Sequence, residues 1–347
     1  MKNLSAQILT WLLIFSLIVF PSHAQQRFKW VTGGGSNQSF GSDPVDDWEQ
    51  TEQICTDADG NIYALSLVGD NAIYADTFVL STGAYGAYQN ILLTSYNCNG
   101  QMRWAKLIAS NAGPCTSLGI VADDLGNIYV AGSFTNATLY IGYDTTITGL
   151  AYEGTGLMQF DTTGNFHWVR FVGDNTPSTY YASSPNALAL DGSNNAHMLT
   201  YIGSGVHVTL SLTGMRGIYD LVYNTSGTLL SSLRLDLDSE WYLNSVVIDP
   251  TTNKMYVSGQ NGGGLVTDTF FAAAFDGSRN LIWQYFADGA GALTGVSLDQ
   301  SKHLYFCGAA GPTAFYFNRD SVFAAGFFAV AILMKTDTDE DRYKWSS

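Results

Sequence analysis

The 347-residue chain is long enough for one large domain or two ordinary ones, and its 15 basic and 30 acidic residues give a formal net charge of −15. So acidic a chain would repel a phosphate backbone, which argues against nucleic acid and anionic membrane surfaces as partners. Its 36 glycines, seven prolines and short alternating runs of Tyr, Phe, Val, Ile and Thr predict an all-β protein.

Residues 1–24 have the pattern of a secretory signal peptide. Lys2 precedes the apolar run at residues 8–20, and small residues lead up to Ala24, where we expect cleavage. The apolar run is shorter than the ~20 residues that a membrane-spanning helix needs. We therefore predict export to the cell surface or outside the cell, with no membrane span in the mature residues 25–347.

Four cysteines remain after removal of this segment, namely Cys55, Cys98, Cys115 and Cys307. Export permits disulfides, and four cysteines allow three sets of pairings. A bridge between Cys98 and Cys115, the pair closest in sequence, is one interpretation, and four unpaired thiols is the other.

A first motif recurs along the chain. It consists of an aspartate, a glycine three residues after the aspartate and a tyrosine six residues after the aspartate. The aspartate of such a motif typically caps a tight turn, while Gly or Asn adopts the left-handed backbone conformation. A β-type run follows each copy, so we interpret the motif as a hairpin. The clearest copies are Asp57, Gly60 and Tyr63, then Asp123, Gly126 and Tyr129; looser copies begin at Asp191, Asp249 and Asp299.

A second motif alternates with the first and carries a tryptophan seven residues after its first residue. Trp104 and Trp168 lie about sixty residues apart, so one repeat contains two hairpins, hence four strands. The copies are Asn97, Gly100 and Trp104; Asp161, Gly164 and Trp168; Asn224, Gly227 and Ser231; Asp276 and Trp283; and, less regularly, Asp337 and Trp345.

Four-stranded units repeated along a chain predict a β-propeller, because each unit must stack on its neighbours to bury both faces of its sheet. We predict five units, at about residues 45–104, 105–168, 169–232, 233–283 and 284–347. Residues 28–34, around Trp30, and residues 343–347 both have the pattern of a last strand. Since the fifth unit already has its own last strand, either Trp30 pairs with a further unit or the ring closes irregularly. We favour the first and expect the units to belong to a larger ring.

These motifs resemble the seven-bladed β-propeller (SBBP-like) repeats of secreted bacterial proteins, which are frequent in the Bacteroidetes lineage. The resemblance extends over residues 45–345. Residues 73–83 and 139–149 are similar to the insertion between the second and third strands of those repeats. The resemblance implies a propeller scaffold and an exported protein, and its motifs are structural.

The segment at residues 57–68 begins like a calcium-binding loop, but it lacks the glycine at position 6 and the glutamate at position 12 of an EF-hand. The first acid, Asp57, recurs in every copy. The second acid, Asp59, is replaced in the other copies by Leu125, Ser193, Thr251 and Ser301. We therefore predict a turn here and no metal ion; the acidic residues 337–341 are a weaker alternative for calcium.

No sequence pattern names a catalytic or cofactor-binding residue, and we predict no cofactor. The mature chain has no GxSxG or HExxH motif, and its histidines have the pattern of strand residues. These are His167, His197, His207 and His303.

The sequence thus favours an exported, non-catalytic β-propeller that binds a protein or a glycan, although fold analogy alone supports this function. Candidate contact residues are aromatics outside the repeat positions, which alternatively pack loops: Trp48, Trp241, Tyr180 and Tyr181. The competing hypothesis is a polysaccharide hydrolase or lyase with carboxylates at the channel mouth. That activity would require two carboxyl groups about 5–10 Å apart.

Overall fold

The fold is described from a computed structural model. The described residues are 34–36, 50–69, 72–75, 78–81, 89–110, 113, 115–142, 144–174, 185–202, 206–207, 212–213, 217–237, 241–261, 270–288, 291–310, 315–317, 320–322, 330–337 and 343–344. The predicted signal peptide, Trp30 and Trp48 lie outside these ranges.

The described residues form strands joined by turns, and none of them is helical. In chain order the strands are β1 (Gly34–Ser36), β2 (Gln50–Thr56), β3 (Ile62–Val68), β4 (Ala72–Ala75), β5 (Phe78–Ser81), β6 (Asn90–Tyr96), β7 (Met102–Ser110), β8 (Cys115–Ala122), β9 (Asn127–Ile141), β10 (Thr145–Asp161), β11 (Phe166–Asp174), β12 (Pro185–Leu190), β13 (Ala196–Ile202), β14 (Val206–His207), β15 (Leu212–Thr213), β16 (Gly217–Tyr223), β17 (Leu229–Arg234), β18 (Trp241–Ile248), β19 (Met255–Asn261), β20 (Phe270–Phe275), β21 (Leu281–Asp288), β22 (Gly291–Leu298), β23 (His303–Ala310), β24 (Phe315–Phe317), β25 (Asp320–Val322), β26 (Val330–Asp337) and β27 (Tyr343–Lys344).

The strands form five consecutive four-stranded antiparallel groups, which we call units 1 to 5. They are β2-β3-β6-β7, β8-β9-β10-β11, β12-β13-β16-β17, β18-β19-β20-β21 and β22-β23-β26-β27. Units 1 and 2 join into one sheet because the end of β7 pairs with β9. The prediction of an all-β chain with repeated four-stranded sheets is confirmed.

The remaining strands lie between the second and third strands of a unit, or pair with such an insertion. Hairpin β4–β5 follows β3, β14–β15 follows β13, and β24–β25 follows β23. In unit 2 the insertion is the tip of the long β9–β10 hairpin. The described parts of residues 73–83 and 139–149 therefore fall at the insertion point that the resemblance implies. Strand β1 pairs with β4.

One irregularity recurs in every unit, between the first and second strands. The pairing skips one residue of the first strand, which is five positions before the aspartate of the first motif each time. Such a bulge bends its strand and increases its twist. All five first strands are thus bent at the same point, at Glu52, Leu118, Asn186, Asn244 and Thr294.

The hydrophobic cores lie between consecutive units. Third strands β6, β16 and β20 are buried along their whole length, as is expected of strands covered on both faces. Separate clusters of buried residues join units 1 and 2, units 2 and 3, units 3 and 4, and units 4 and 5. Each unit therefore packs against the next one along the chain.

Candidate functional site

The first strands of units 1, 3 and 4 line a cavity of about 230 Å³, which we call the first-strand cavity. Strands β2, β12 and β18 contribute its walls just after the recurrent bulge. The lining residues are Gln53, Ile54, Ala187, Leu188, Asn244, Ser245 and Val246. None of these seven side chains is ionisable, so the described wall of the cavity is neutral.

Three polar side chains of this wall hold neighbouring first strands together. Gln53 Oε1 accepts a hydrogen bond from the backbone N–H of Ile120 at 3.1 Å. Ser245 Oγ, in unit 4, accepts one from the N–H of Val296 in unit 5, also at 3.1 Å. Because Gln53 and Ser245 both directly follow the bulge residue, these are equivalent links, from unit 1 to unit 2 and from unit 4 to unit 5.

The same hydrogen bonds define what the wall can offer to a ligand. Asn244 Nδ2 donates to the carbonyl oxygen of Leu293 at 2.9 Å, which leaves its amide oxygen as an acceptor. Ser245 accepts through Oγ and so keeps its hydroxyl hydrogen as a donor. Ile54 adds an apolar surface that is 68% exposed. The cavity can therefore recognise an uncharged group that both donates and accepts hydrogen bonds.

The aspartates of the motifs have a different role, which is clearest at Asp57. Its Oδ1 accepts the backbone N–H of Asn61 at 2.8 Å, while its Oδ2 accepts the Asn61 side chain at 2.8 Å and the Tyr63 hydroxyl at 2.7 Å. Gly60 closes the turn with a φ of 77°. Asp59 contributes its backbone N–H to the Asp57 carboxylate, while its own side chain is exposed. The carboxylate of Asp57 is therefore occupied by its own turn.

The other described turns repeat this arrangement. An Asp or Asn at the first position accepts the backbone N–H four residues later, or, at Asp249, the N–H of Thr251 and two threonine hydroxyls. The asparagine four residues after the aspartate, which the motifs did not single out, donates its side chain to the second carboxylate oxygen in several turns. These are Asn61, Asn127, Asn165, Asn195 and Asn280.

These hydrogen bonds favour the ionised carboxylates. At Asp57, burial opposes ionisation, but the donors from Asn61 and Tyr63 outweigh it and lower the pKa. The pKa of Asp161 is lowered in the same way against the cost of burial. At Asp249, burial is outweighed first by Lys302 of unit 5 and then by Thr251 and Thr252, so its pKa is also lowered. The backbone and side chain of His303 lower the pKa of Asp299 to about 2. These groups are turn anchors, and their shifts have a structural cause.

The tryptophans of the second motif connect one unit to the next. Trp104 Nε1 donates to the carbonyl oxygen of Thr162 at 2.9 Å, and Trp168 Nε1 donates to that of Thr225 at 3.2 Å. Within its own unit, each ring lies about 6 Å from the tyrosine of the first motif, as measured between the centroids of Tyr63 and Trp104 and of Tyr129 and Trp168. Trp283 is related in the same way to Tyr256, at 6.4 Å.

Only one of the four aromatic contact candidates, Trp241, lies in the part of the chain that the structure describes, so the contact surface stays a prediction. Trp241 begins strand β18. Trp48, Tyr180 and Tyr181 lie outside the described residues, as does Trp345 of the second motif.

All four cysteines are free, so the bridge between Cys98 and Cys115 is not formed. Cys98 and Cys307 are exposed, Cys55 is half-buried and Cys115 is buried. Within the described ranges, no three His, Cys, Asp or Glu side chains are grouped so as to hold a metal ion. No helix in those ranges is long and apolar enough to cross a membrane.

The motifs identified neither the residues of the first-strand cavity nor a buried group of charged side chains around His197. The bulge lies five residues before the motif aspartate in all five units, but it is defined by strand pairing, so the sequence alone did not mark the cavity strands.

No protein-family model matches the chain, and it has no significant match among curated proteins. The resemblance to seven-bladed β-propeller repeats therefore stays a prediction that rests on the motifs.

Proposed function

We propose that the chain is an exported, non-catalytic β-propeller module that binds a protein or glycan ligand at or outside the cell surface. The observation that carries the proposal is the first-strand cavity, where the first strands of units 1 and 4 line one space. Units that are three repeats apart can share a cavity if the chain curves around a common axis. A propeller places its first strands around such an axis.

The packing between units supports the same architecture. Each hydrophobic core joins one unit to the next, and the links from Gln53 and Ser245 connect successive first strands. The motifs and these contacts both support a kinship with SBBP-like repeats.

The distribution of carboxylates favours binding over catalysis. A glycoside hydrolase needs two carboxyl groups that face a cleft. The described cavity wall carries amide, hydroxyl and aliphatic side chains, while the aspartates of the turns accept hydrogen bonds from their own turns. An uncharged ligand with hydroxyl or amide groups fits this wall, since Asn244 and Ser245 offer one acceptor and one donor.

A glycan and peptide array with the purified mature protein tests the proposal. The variant Ile54→Arg puts a long charged side chain at the cavity and has a small folding cost, because Ile54 is 68% exposed. Leu125→Arg is the matched control, since Leu125 is 70% exposed and lies in a turn. We expect binding to weaken at least about tenfold in the first variant and to be unchanged in the second.

Equal binding by both variants would place the ligand elsewhere and overturn the assignment of the cavity. Turnover of a polysaccharide by the purified protein would overturn the non-catalytic function. Export is tested separately by sequencing the N terminus of the secreted protein, which we expect to begin at Gln25.

A further inference from the structure

Between units 3 and 4 lies a buried group of four charged or ionisable side chains, which we call the ionic cluster. It consists of Asp191, His197, Asp220 and Arg279. His197 and Asp220 come from β13 and β16 of unit 3, whereas Arg279 comes from the turn between β20 and β21 of unit 4. Three of them, His197, Asp220 and Arg279, are no more than 6% exposed.

The geometry of the cluster is specific. His197 Nδ1 lies 2.9 and 3.0 Å from the two carboxylate oxygens of Asp220, and His197 Nε2 lies 3.5 Å from Asp191 Oδ2. Arg279 Nε donates to Asp220 Oδ2 at 2.6 Å, and an Arg279 terminal nitrogen donates to the carbonyl oxygen of Asn253 at 2.9 Å. The cluster is therefore a direct link between two units.

The junctions of units 1 and 2 and of units 2 and 3 have a tryptophan and a glycine at the corresponding positions. Trp104 lies against Gly164 of the next turn, and Trp168 lies against Gly227. At the junction of units 3 and 4, Ser231 has the position of the tryptophan and Arg279 has the position of the glycine. Arg279 even keeps the left-handed backbone, with a φ of 67°.

The two partners of Arg279 also depart from the repeat. His197 stands where other units have a tyrosine, namely Tyr63, Tyr129, Tyr256 and Tyr305. Asp220 pairs with the residue two positions after His197, where the equivalent residues are Leu93, Leu157, Ala272 and Leu333. Four changes at one junction thus replace an apolar contact by an ionic one.

We propose that the ionic cluster is a pH-dependent joint between units 3 and 4, closed while His197 is protonated and loosened when it is neutral. Both ring nitrogens lie beside carboxylates, and a terminal nitrogen of Arg279 also lies 3.2 Å from Nδ1. In the proposed closed state both ring nitrogens carry a hydrogen, which Nδ1 donates to Asp220 and Nε2 to Asp191. The ionisable groups that face the ring are Asp191 from the preceding turn, Asp220 from β16 and Arg279 from unit 4. When His197 is protonated, the two positive charges of His197 and Arg279 balance the two negative charges of Asp191 and Asp220. When His197 is neutral, two carboxylates face one guanidinium.

The direction of the titration follows from these contacts. Burial lowers the pKa of His197, but the hydrogen bonds to Asp191 and Asp220 outweigh burial and raise it. In an opened junction His197 would return to its ordinary pKa of about 6.5. The joint therefore has its full strength below about pH 6.5 and weakens as the pH rises through the raised pKa of the closed state.

Hydrogen exchange on the mature protein between pH 6 and pH 8.5 tests this. Protection factors, corrected for the intrinsic pH dependence of exchange, are compared for amides of β13, β16 and the turn at residues 276–280. Above about pH 6.5 we expect these protection factors to fall by up to about tenfold per pH unit, because opening of the junction releases one proton from His197. Amides of β6 in unit 1 are the internal reference and should show no such fall. Equal behaviour of both sets would overturn the proposal.

The repeat supplies the matched variants. Replacing all four residues by their counterparts, His197→Tyr, Asp220→Leu, Ser231→Trp and Arg279→Gly, should give a junction whose protection does not depend on pH. His303→Asn is the control, because it changes a half-exposed histidine to the residue found at that turn position in units 1 to 3. The control should keep the wild-type dependence, and its loss would contradict the assignment to His197.

Titration of the His197 ring by NMR in the wild-type protein decides the matter even if the fourfold variant does not fold. A pKa above about 6.5 is expected. A His197 pKa at or below about 6.5 would overturn the proposal of a pH-dependent joint.

Discussion

The indole ring of Trp104 lies against Gly164 of the neighbouring unit, so closely that a Cβ on that glycine would be 2.8 Å from the ring. The pair formed by Trp168 and Gly227 repeats this contact one unit later, with a corresponding distance of 2.7 Å. The two glycines also have φ values of 84° and 76°, a region that favours glycine. The tryptophan of one second motif and the glycine of the next one are therefore parts of a single contact between units.

The first prediction concerns this contact. Gly164→Ala should lower the free energy of unfolding by about 2–4 kcal/mol, because it combines left-handed strain of about 1–2 kcal/mol with overpacking against Trp104. Gly60→Ala is the control, since Gly60 has a similar φ of 77° but its nearest neighbouring atom would be 3.8 Å away. It should cost only about 1–2 kcal/mol. Urea unfolding measures both, and equal losses would mean that the ring does not restrict the glycine.

The second prediction separates the two acids of the first turn. Asp57→Ala removes the acceptor for Asn61 and Tyr63 and should cost about 1–3 kcal/mol of unfolding free energy. Asp59→Ala changes an exposed side chain two residues away and should stay within about 0.5 kcal/mol. Thermal unfolding of the two variants provides the comparison. A larger loss for Asp59→Ala would show that its carboxylate has a role that the turn does not explain.

The sequence predicted the strands and turns well because each motif encodes a local structure. Asp57 and Gly60 are three residues apart, and their roles are fulfilled within one turn. Periodicity and turn chemistry are sufficient for such features. The same reasoning assigned His197 to a strand, where the structure places it.

The ionic cluster and the cavity could not be predicted in this way, because their residues meet only through packing of different units. Asp220 and Arg279 are 59 residues apart, and nothing in the spacing of the motifs selects Asp220 from its strand. Arg279 stands where three copies of the second motif have glycine, a departure that the motif comparison did not single out. Its partners, however, depend on which unit lies against that turn.

Cysteine pairing was open from sequence for the same reason, and it leads to the third prediction. Burial raises the pKa of Cys55 and of Cys115 to about 12, so both thiols stay protonated and unreactive at neutral pH. Cys98 and Cys307 are exposed. A thiol-specific reagent should therefore label two cysteines in the native protein and four after unfolding. Fast native labelling of Cys115 would contradict its burial.

The fourth prediction is a loss of stability in acid. Hydrogen bonds hold the pKa values of several turn aspartates below the ordinary value of about 3.9, among them Asp57, Asp161, Asp191, Asp249, Asp276 and Asp299. A lowered pKa stabilises the fold above the unfolded-state pKa, and this contribution is lost as the pH falls through the folded-state value. The urea midpoint should therefore fall steadily from about pH 4 to pH 2.

Asp299 allows this origin to be checked at a single residue, because its pKa is lowered to about 2 by its hydrogen bonds with His303. Asp299→Asn removes the titrating carboxylate, so the variant should lose less stability than the wild type between pH 4 and pH 2. Asp59→Asn removes an exposed carboxylate from an equivalent turn and should leave the acid slope unchanged. If both variants showed the wild-type slope, the acid sensitivity would have to arise outside the turn of Asp299.

Protonation of the turn aspartates lowers stability in acid, whereas deprotonation of His197 lowers it at higher pH, because the pKa of His197 is raised in the folded protein. The urea midpoint should therefore be greatest between about pH 4 and pH 6.5.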